Sequence, residues 1–205
     1  MTRREFVERC VSTGALFLAS PGLAVASEAL ADAHPQRTPT PGAELGPFFK
    51  AGAPATTSLT LPGDPGLPLA VTGRVVDTRG EPAPEAIIEV WQANNAGLYD
   101  VEGYHYRAHL VAGADGSYRF NTVLPGHYPG RVAQHIHYRV SAPGLSPLVT
   151  QLYFATDPAF EGDPDKNYRK DPIIRSRELI RPVTVATSGN SVLAAVTFEL
   201  VLARS

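Results

Sequence analysis

Val192-Leu193-Ala194-Ala195-Val196-Thr197-Phe198-Glu199-Leu200-Val201-Leu202 alternates at period two cleanly enough to assign one buried face, the pattern of a β-strand. Shorter β-branched or alternating runs precede it at 70–77, 86–92, 117–123, 135–141, 148–155 and 183–186, and Gly80, Gly97, Gly116, Gly126, Gly144 and Gly189 punctuate the series. Strands at this spacing, with no long helical period between them, predict an all-β fold, an antiparallel β-sandwich with long loops. Residues 36–41 read as a Pro/Thr-rich linker and 54–68 as a loop-rich approach to the first strand. The stretch 157–177, with Pro158, Pro164, Pro172 and many charges, is the least regular; a loop of that length is either functional or solvated surface.

The first 33 residues read differently. Thr2-Arg3-Arg4-Glu5-Phe6-Val7 resembles a twin-arginine export signal, followed by a moderately apolar stretch at 12–26 and small-x-small cleavage options after Ala26, Ala31 or Ala33. Gly14, Pro21 and Gly22 interrupt the apolar stretch, which is too short to span a membrane. The expected organisation is therefore a twin-arginine signal and cleavage region over 1–33 and one β-sandwich domain over 34–205. The export machinery is then a partner, the destination is the periplasm or the exterior, and no stable membrane insertion follows processing. Cys10, the single cysteine, falls inside the signal, so the domain relies on its core and not on disulfides. Removing 1–33 takes away three of the 18 Lys and Arg and four of the 20 Asp and Glu. The near-neutral balance left gives no footprint for nucleic acid.

The chemistry concentrates between residues 97 and 137. On a strand, His135 and His137 project from one face while Ile136 turns to the other, so two imidazoles aim at one point. Tyr99 in Gly97-Leu98-Tyr99-Asp100 and Tyr128 in Pro125-Gly126-His127-Tyr128-Pro129-Gly130 each follow a Gly- or Pro-rich turn of the kind that fixes a side chain at a rim. Singly, each has a duller reading: a solvated His-x-His, a strand-end aromatic, a turn tyrosine. Jointly they form a metal set. Zinc and ferrous oxygenase sites use Cys, His and carboxylates, whereas a phenol with an ordinary pKa near 10 ionises at neutral pH only beside a strongly charged, oxygen-preferring cation. Two phenolates and two imidazoles point to ferric iron, Fe(3+), carried on the long loops of the sandwich. Tyr104, His105, Tyr106, Arg107 and His109 follow Tyr99 closely enough to line such a site, and Trp91 reads as core or a wall near the metal.

Around these residues the chain resembles the intradiol ring-cleavage dioxygenases, which include catechol 1,2-dioxygenase and protocatechuate 3,4-dioxygenase. The matching phrases are Leu45-Gly46-Pro47-Phe48-Phe49, Val71-Thr72-Gly73-Arg74-Val75-Val76-Asp77, Ile88-Glu89-Val90-Trp91-Gln92-Ala93-Asn94, Asp115-Gly116-Ser117-Tyr118-Arg119-Phe120, His135-Ile136-His137-Tyr138 and Thr150-Gln151-Leu152-Tyr153-Phe154, with the two tyrosine phrases in the family's order. The resemblance implies that Tyr99, Tyr128, His135 and His137 hold iron. In it, Tyr128 is the axial tyrosinate that leaves when substrate binds, Tyr99 and His135 are equatorial, and His137 is the second axial ligand.

The implied substrates are a catechol-type small molecule and O2, and the implied product is a cis,cis-muconate-type diacid, cleaved between the two hydroxylated carbons. Tyr128, Arg131 and Gln151 are the implied catalytic residues. One departure matters: the family reads Arg-Pro-Ala-His before its first histidine, whereas Arg131-Val132-Ala133-Gln134-His135 sets the arginine one residue further back. Either the loop bulges to bring Arg131 into place, or Gln134 or Arg139 assumes part of its role. His127 is read as outside the ligand set, which is complete without it. Two alternatives from other classes are a catalytically inactive β-sandwich binding module and a zinc-dependent hydrolase.

Overall fold

The structure, a computed structural model, describes residues 36–189 and 191–205. The proposed signal over 1–33 lies outside them. Among the described residues no helix is long and apolar enough to cross a membrane.

Among the described residues ten strands form two five-stranded sheets: β1 Pro68–Asp77, β2 Ile87–Trp91, β3 Arg107–Val111, β4 Ser117–Val123, β5 His135–Ser141, β6 Leu148–Phe154, β7 Ile180–Arg181, β8 Val183–Ser188, β9 Ser191–Thr197 and β10 Leu200–Leu202. The first sheet is centred on β1, which pairs with β4 on one side and with β9 and then β10 on the other; β8 extends β9. The second runs β3-β2-β5-β6-β7. Most pairs are antiparallel, as expected of the sandwich, but β1–β9, β1–β10 and β6–β7 are parallel. A parallel pair cannot be joined by a tight hairpin, and the long chain excursions supply the connection.

The alternating C-terminal run is divided between β9 and β10. Ala194, Val196, Phe198, Leu200 and Leu202 nonetheless all face the core, so the period-two face continues through the break. There they meet Ile88, Val90, Phe120, Ile136, Tyr138 and Leu152 from the other strands, the two-layer packing that removes both inner faces from water. The Tyr118 hydroxyl crosses to the Phe198 carbonyl at 2.6 Å, satisfying a polar group deep in this layer.

Two strands escape the sequence patterns. β3 is one, because Arg107 and His109 break its apolar alternation; both polar side chains find backbone acceptors instead. Arg107 donates to Phe48 O at 2.6 Å and Asp100 O at 2.9 Å, and His109 Nδ1 lies 2.7 Å from Ala53 O. With Tyr104 donating to Ala51 O at 2.9 Å, this group anchors the 48–53 segment; of the three, Arg107 also lies beside the candidate ligands, opposite Trp91, with its charge acting on Tyr99 and His137. The other is the two-residue β7, formed by its parallel pairing with β6. The stretch 157–177 is ordered by short helical turns at Pro158–Phe160, Pro164–Asn167, Tyr168–Lys170 and Arg177–Leu179.

Candidate metal centre

The cluster sits on the outer face of the second sheet. Ile136 and Tyr138 turn into the core, which directs His135 and His137 the other way. Cross-strand register completes a row: His137 lies opposite Trp91 on β2 and Gln151 on β6, and His135 opposite Tyr153. Trp91 stacks on the His137 ring at 4.9 Å and 8°. The outer face is covered rather than exposed, and both histidines are about as buried as the core.

Loops bring the tyrosines. Gly97 and Gly126 allow the two tyrosine loops to touch: a Cβ at Gly97 would stand 1.9 Å from the His127 carbonyl oxygen, and one at Gly126 would stand 2.3 Å from that of Asn95. Gly97 also holds φ +78°, which favours glycine. Asn94 pins the junction, its carbonyl accepting from both glycine N–H groups. The rings consequently converge, with centroids 5.4 Å apart for Tyr99–Tyr128, 5.6 Å for Tyr128–His135, 6.2 Å for Tyr99–His137 and 4.8 Å for His135–His137. Phe48 stacks on Tyr99 at 4.2 Å.

Hydrogen bonds prepare the donor atoms. His135 Nδ1 donates to Ala133 O at 2.8 Å, which leaves the Nε2 lone pair facing the Tyr128 hydroxyl at 3.2 Å. His137 Nδ1 has Gln151 Nε2 at 3.2 Å, and its Nε2 is buried without a hydrogen-bond partner. The Tyr99 hydroxyl is likewise buried and makes no hydrogen bond of normal geometry. A buried polar atom left unmatched costs stability, and two on neighbouring rings of one cluster mark a place for a further group. Burial holds His135 down to about 3, with the Arg131 charge adding to the effect, and holds His137 well below its ordinary value. Both are therefore neutral imidazoles at physiological pH, the form in which histidine can ligate a metal. Burial, followed by the charge of Tyr128, pushes the Tyr99 phenol up, so its ionisation requires a cation.

The set fits ferric iron in donor type: two hard phenolic oxygens and two neutral imidazoles. Among the described residues no cluster of three or more His, Cys, Asp or Glu is placed to hold a metal, so a metal bound here must take phenolic oxygen.

Arg131 reaches this cluster. It donates from Nη2 to Gln151 Oε1 and to the Tyr153 hydroxyl, each at 2.9 Å, and Nη1 lies 3.1 Å from His135 Nε2. Burial opposes its charge, but Tyr153 and Asp171 outweigh that and raise its pKa. The other two candidates for its role face elsewhere: Gln134 Nε2 donates to Pro125 O at 2.7 Å, and Arg139 pairs with Glu89 at 3.0 Å. Gln151 Nε2 donates to Glu44 O at 2.9 Å and sits 3.2 Å from His137 Nδ1. His127 points away to Asp157 at 2.9 Å.

Sequence reasoning missed Tyr153, Asp157 and Asp171, all buried and all bonded to this neighbourhood. For Tyr153, its spacing two residues from Gln151 on a strand was the available signal. A cavity of about 280 Å³ opens over the cluster, walled by Pro47, Phe48, Tyr128, Arg131, Gln151 and Ile173. A larger groove of about 770 Å³ crosses the β3 and β4 edges near Thr57, His109 and Arg119 and includes none of the four candidate ligands.

The family model for Dioxygenase matches residues 45–204. The chain belongs to the intradiol dioxygenase family. Hydroxyquinol 1,2-dioxygenase of Nocardioides simplex is 36% identical over 186 residues, covering 78% of this chain and 63% of that enzyme. The namesake from Rhodococcus opacus is 34% identical over 231 residues, covering 98% and 73%. The dioxygenase domain of a dioxygenase carbohydrate-binding protein fusion from Streptomyces sp. SirexAA-E superposes with a TM-score of 0.69 at 36% identity, covering 82% of this chain and all of that domain. The chain thus spans less than two thirds of the Nocardioides dioxygenase's length.

Proposed function

We propose that the protein is a non-haem ferric dioxygenase that cleaves a catechol-type ring between its hydroxylated carbons, using O2, to give a cis,cis-muconate-type diacid. One observation carries the reading: the rings of Tyr99 and His137, whose hydroxyl and Nε2 are partnerless, converge with those of His135 and Tyr128 beneath a cavity sized for a single ring. The names of the relatives, hydroxyquinol and catechol 1,2-dioxygenases, support the same substrate class.

Fe(3+), held by Tyr99, Tyr128, His135 and His137, would act as Lewis acid and template, drawing electron density from the bound diol so that a ring carbon reacts with oxygen. The chain's own residues do the rest. Tyr128, at the cavity wall, is placed to accept a hydroxyl proton from the arriving diol. Ala133 O fixes the His135 tautomer so that its Nε2 lone pair faces the Tyr128 hydroxyl. The Arg131 guanidinium, held by Gln151 and Tyr153, stabilises negative charge developing on the ring. Trp91 and Phe48 back the ligands with apolar surface and restrict water.

The balance needs no external reductant, because both oxygen atoms enter the product and the broken carbon–carbon bond supplies the electrons. Incubation with catechol or hydroxyquinol under labelled dioxygen, with mass analysis of the product, tests the reading. A diacid carrying both labels is expected; a semialdehyde from cleavage beside the diol would overturn it. We further propose export through the twin-arginine route, supported by Arg3, Arg4, Phe6 and the apolar stretch that follows.

A further inference from the structure

Asp171 lies forty residues from Arg131 in sequence and is 1% exposed. Its Oδ2 accepts from Arg131 Nε at 3.4 Å and from the backbone N–H of Ala133 at 3.1 Å, while Oδ1 accepts from the N–H of Ile173 at 3.0 Å. Ile173 walls the cavity over the ligands. One carboxylate therefore ties together a guanidinium, the loop backbone ahead of the first histidine and the cavity wall. Burying that charge is unfavourable unless a cation matches it, and Arg131, itself 8% exposed, is the cation it pairs with. A guanidinium is a rigid planar fork, so holding Nε on one side dictates where Nη1 and Nη2 point on the other. Here they point to His135, Gln151 and Tyr153.

We propose that Asp171 is the positioning residue that sets Arg131 in the pocket, offsetting the extra residue between Arg131 and His135 and making the irregular 157–177 segment part of the catalytic apparatus. The catalytic consequence rests on the ring-cleavage reading; the placement of Arg131 does not.

The test is a double-variant cycle on Asp171→Asn and Arg131→Ala, read in two ways. In the iron-loaded enzyme, neither variant removes a proposed ligand, so iron content and the tyrosinate-to-iron absorption should persist. Asp171→Asn should lower kcat on catechol or hydroxyquinol by about 10- to 100-fold, and the double variant should lose no more than Arg131→Ala alone. Wild-type kcat in Asp171→Asn, or losses that multiply, would overturn the proposal. In metal-free protein, urea unfolding should be non-additive for the same pair. The control is Asp77→Asn, on the first sheet and paired with Arg204, whose midpoint shift should add to that of Arg131→Ala. Additivity in both pairs would also overturn it. A wild-type protein that cleaves neither diol would defeat the ring-cleavage reading, leaving the urea cycle to decide the placement. Asp171→Glu, which keeps the charge but displaces it, runs the same cycle if the Asn variant fails to fold.

Discussion

Acidifying the metal-free protein from about pH 7.5 to about pH 5 should destabilise it through His135 and His137. Above their ordinary value of about 6.5 both rings are neutral in folded and unfolded chains, so pH has no leverage through them. Below it, the unfolded chain binds protons that the folded chain refuses, down to about 3 at His135 and well below the ordinary value at His137. Stability therefore falls as pH falls, by about 1.4 kcal/mol per pH unit for His135, with His137 adding to the fall. His135 alone over one and a half units costs about 2 kcal/mol, a sizeable share of the 5–15 kcal/mol that holds a domain of this size together, and His137 acts in the same direction. Asp77 and Asp100, whose pKa values are lowered from 3.8, release their contributions only at lower pH and stay outside this window. The assay is urea denaturation of chelator-treated protein at several pH values, wild type against a His135→Asn/His137→Asn double variant. The variant should lack the extra slope between pH 6.5 and 5. Equal slopes would refute the argument that both imidazoles are buried and neutral without metal.

Tyr99→Phe should remove part of the tyrosinate-to-iron band and most ring-cleaving activity, whereas His127→Ala should retain about one iron per chain by metal analysis; loss of iron in the latter would show the ligand set to be wrong. Gly126→Ala should cost about 1–3 kcal/mol in thermal or urea unfolding, because its methyl would sit 2.3 Å from the Asn95 carbonyl oxygen, and should weaken iron retention as the tyrosine loops part. Replacing Arg3 and Arg4 with lysine should leave the precursor in the cytoplasm by fractionation; continued export would indicate another route.

The strands that carry the core were legible because burial on a sheet face imposes a period of two, which survives even the division between β9 and β10. His135 and His137 sharing a face followed from the same rule. β3 was hidden because its polar side chains are matched by carbonyls of distant loops, and no local pattern encodes an acceptor at Phe48 for a donor at Arg107. The departure at Arg131 could not be resolved from the chain alone, since three side chains competed for one role.

What the sequence by itself determined is therefore the local chemistry: strand faces, the His-x-His pair, the two turn-borne tyrosines and the family phrases around them. What only the tertiary structure decided is how these are brought to one point. The Gly97–Gly126 contact joins the two tyrosine loops, the cross-strand row aligns Trp91, His137 and Gln151, and the Asp171 carboxylate meets Arg131 across forty residues of chain. The reason is physical: periodicity and turn chemistry act between near neighbours, whereas a buried charge or an unmatched donor is satisfied by whatever the fold delivers to it, at any separation in sequence.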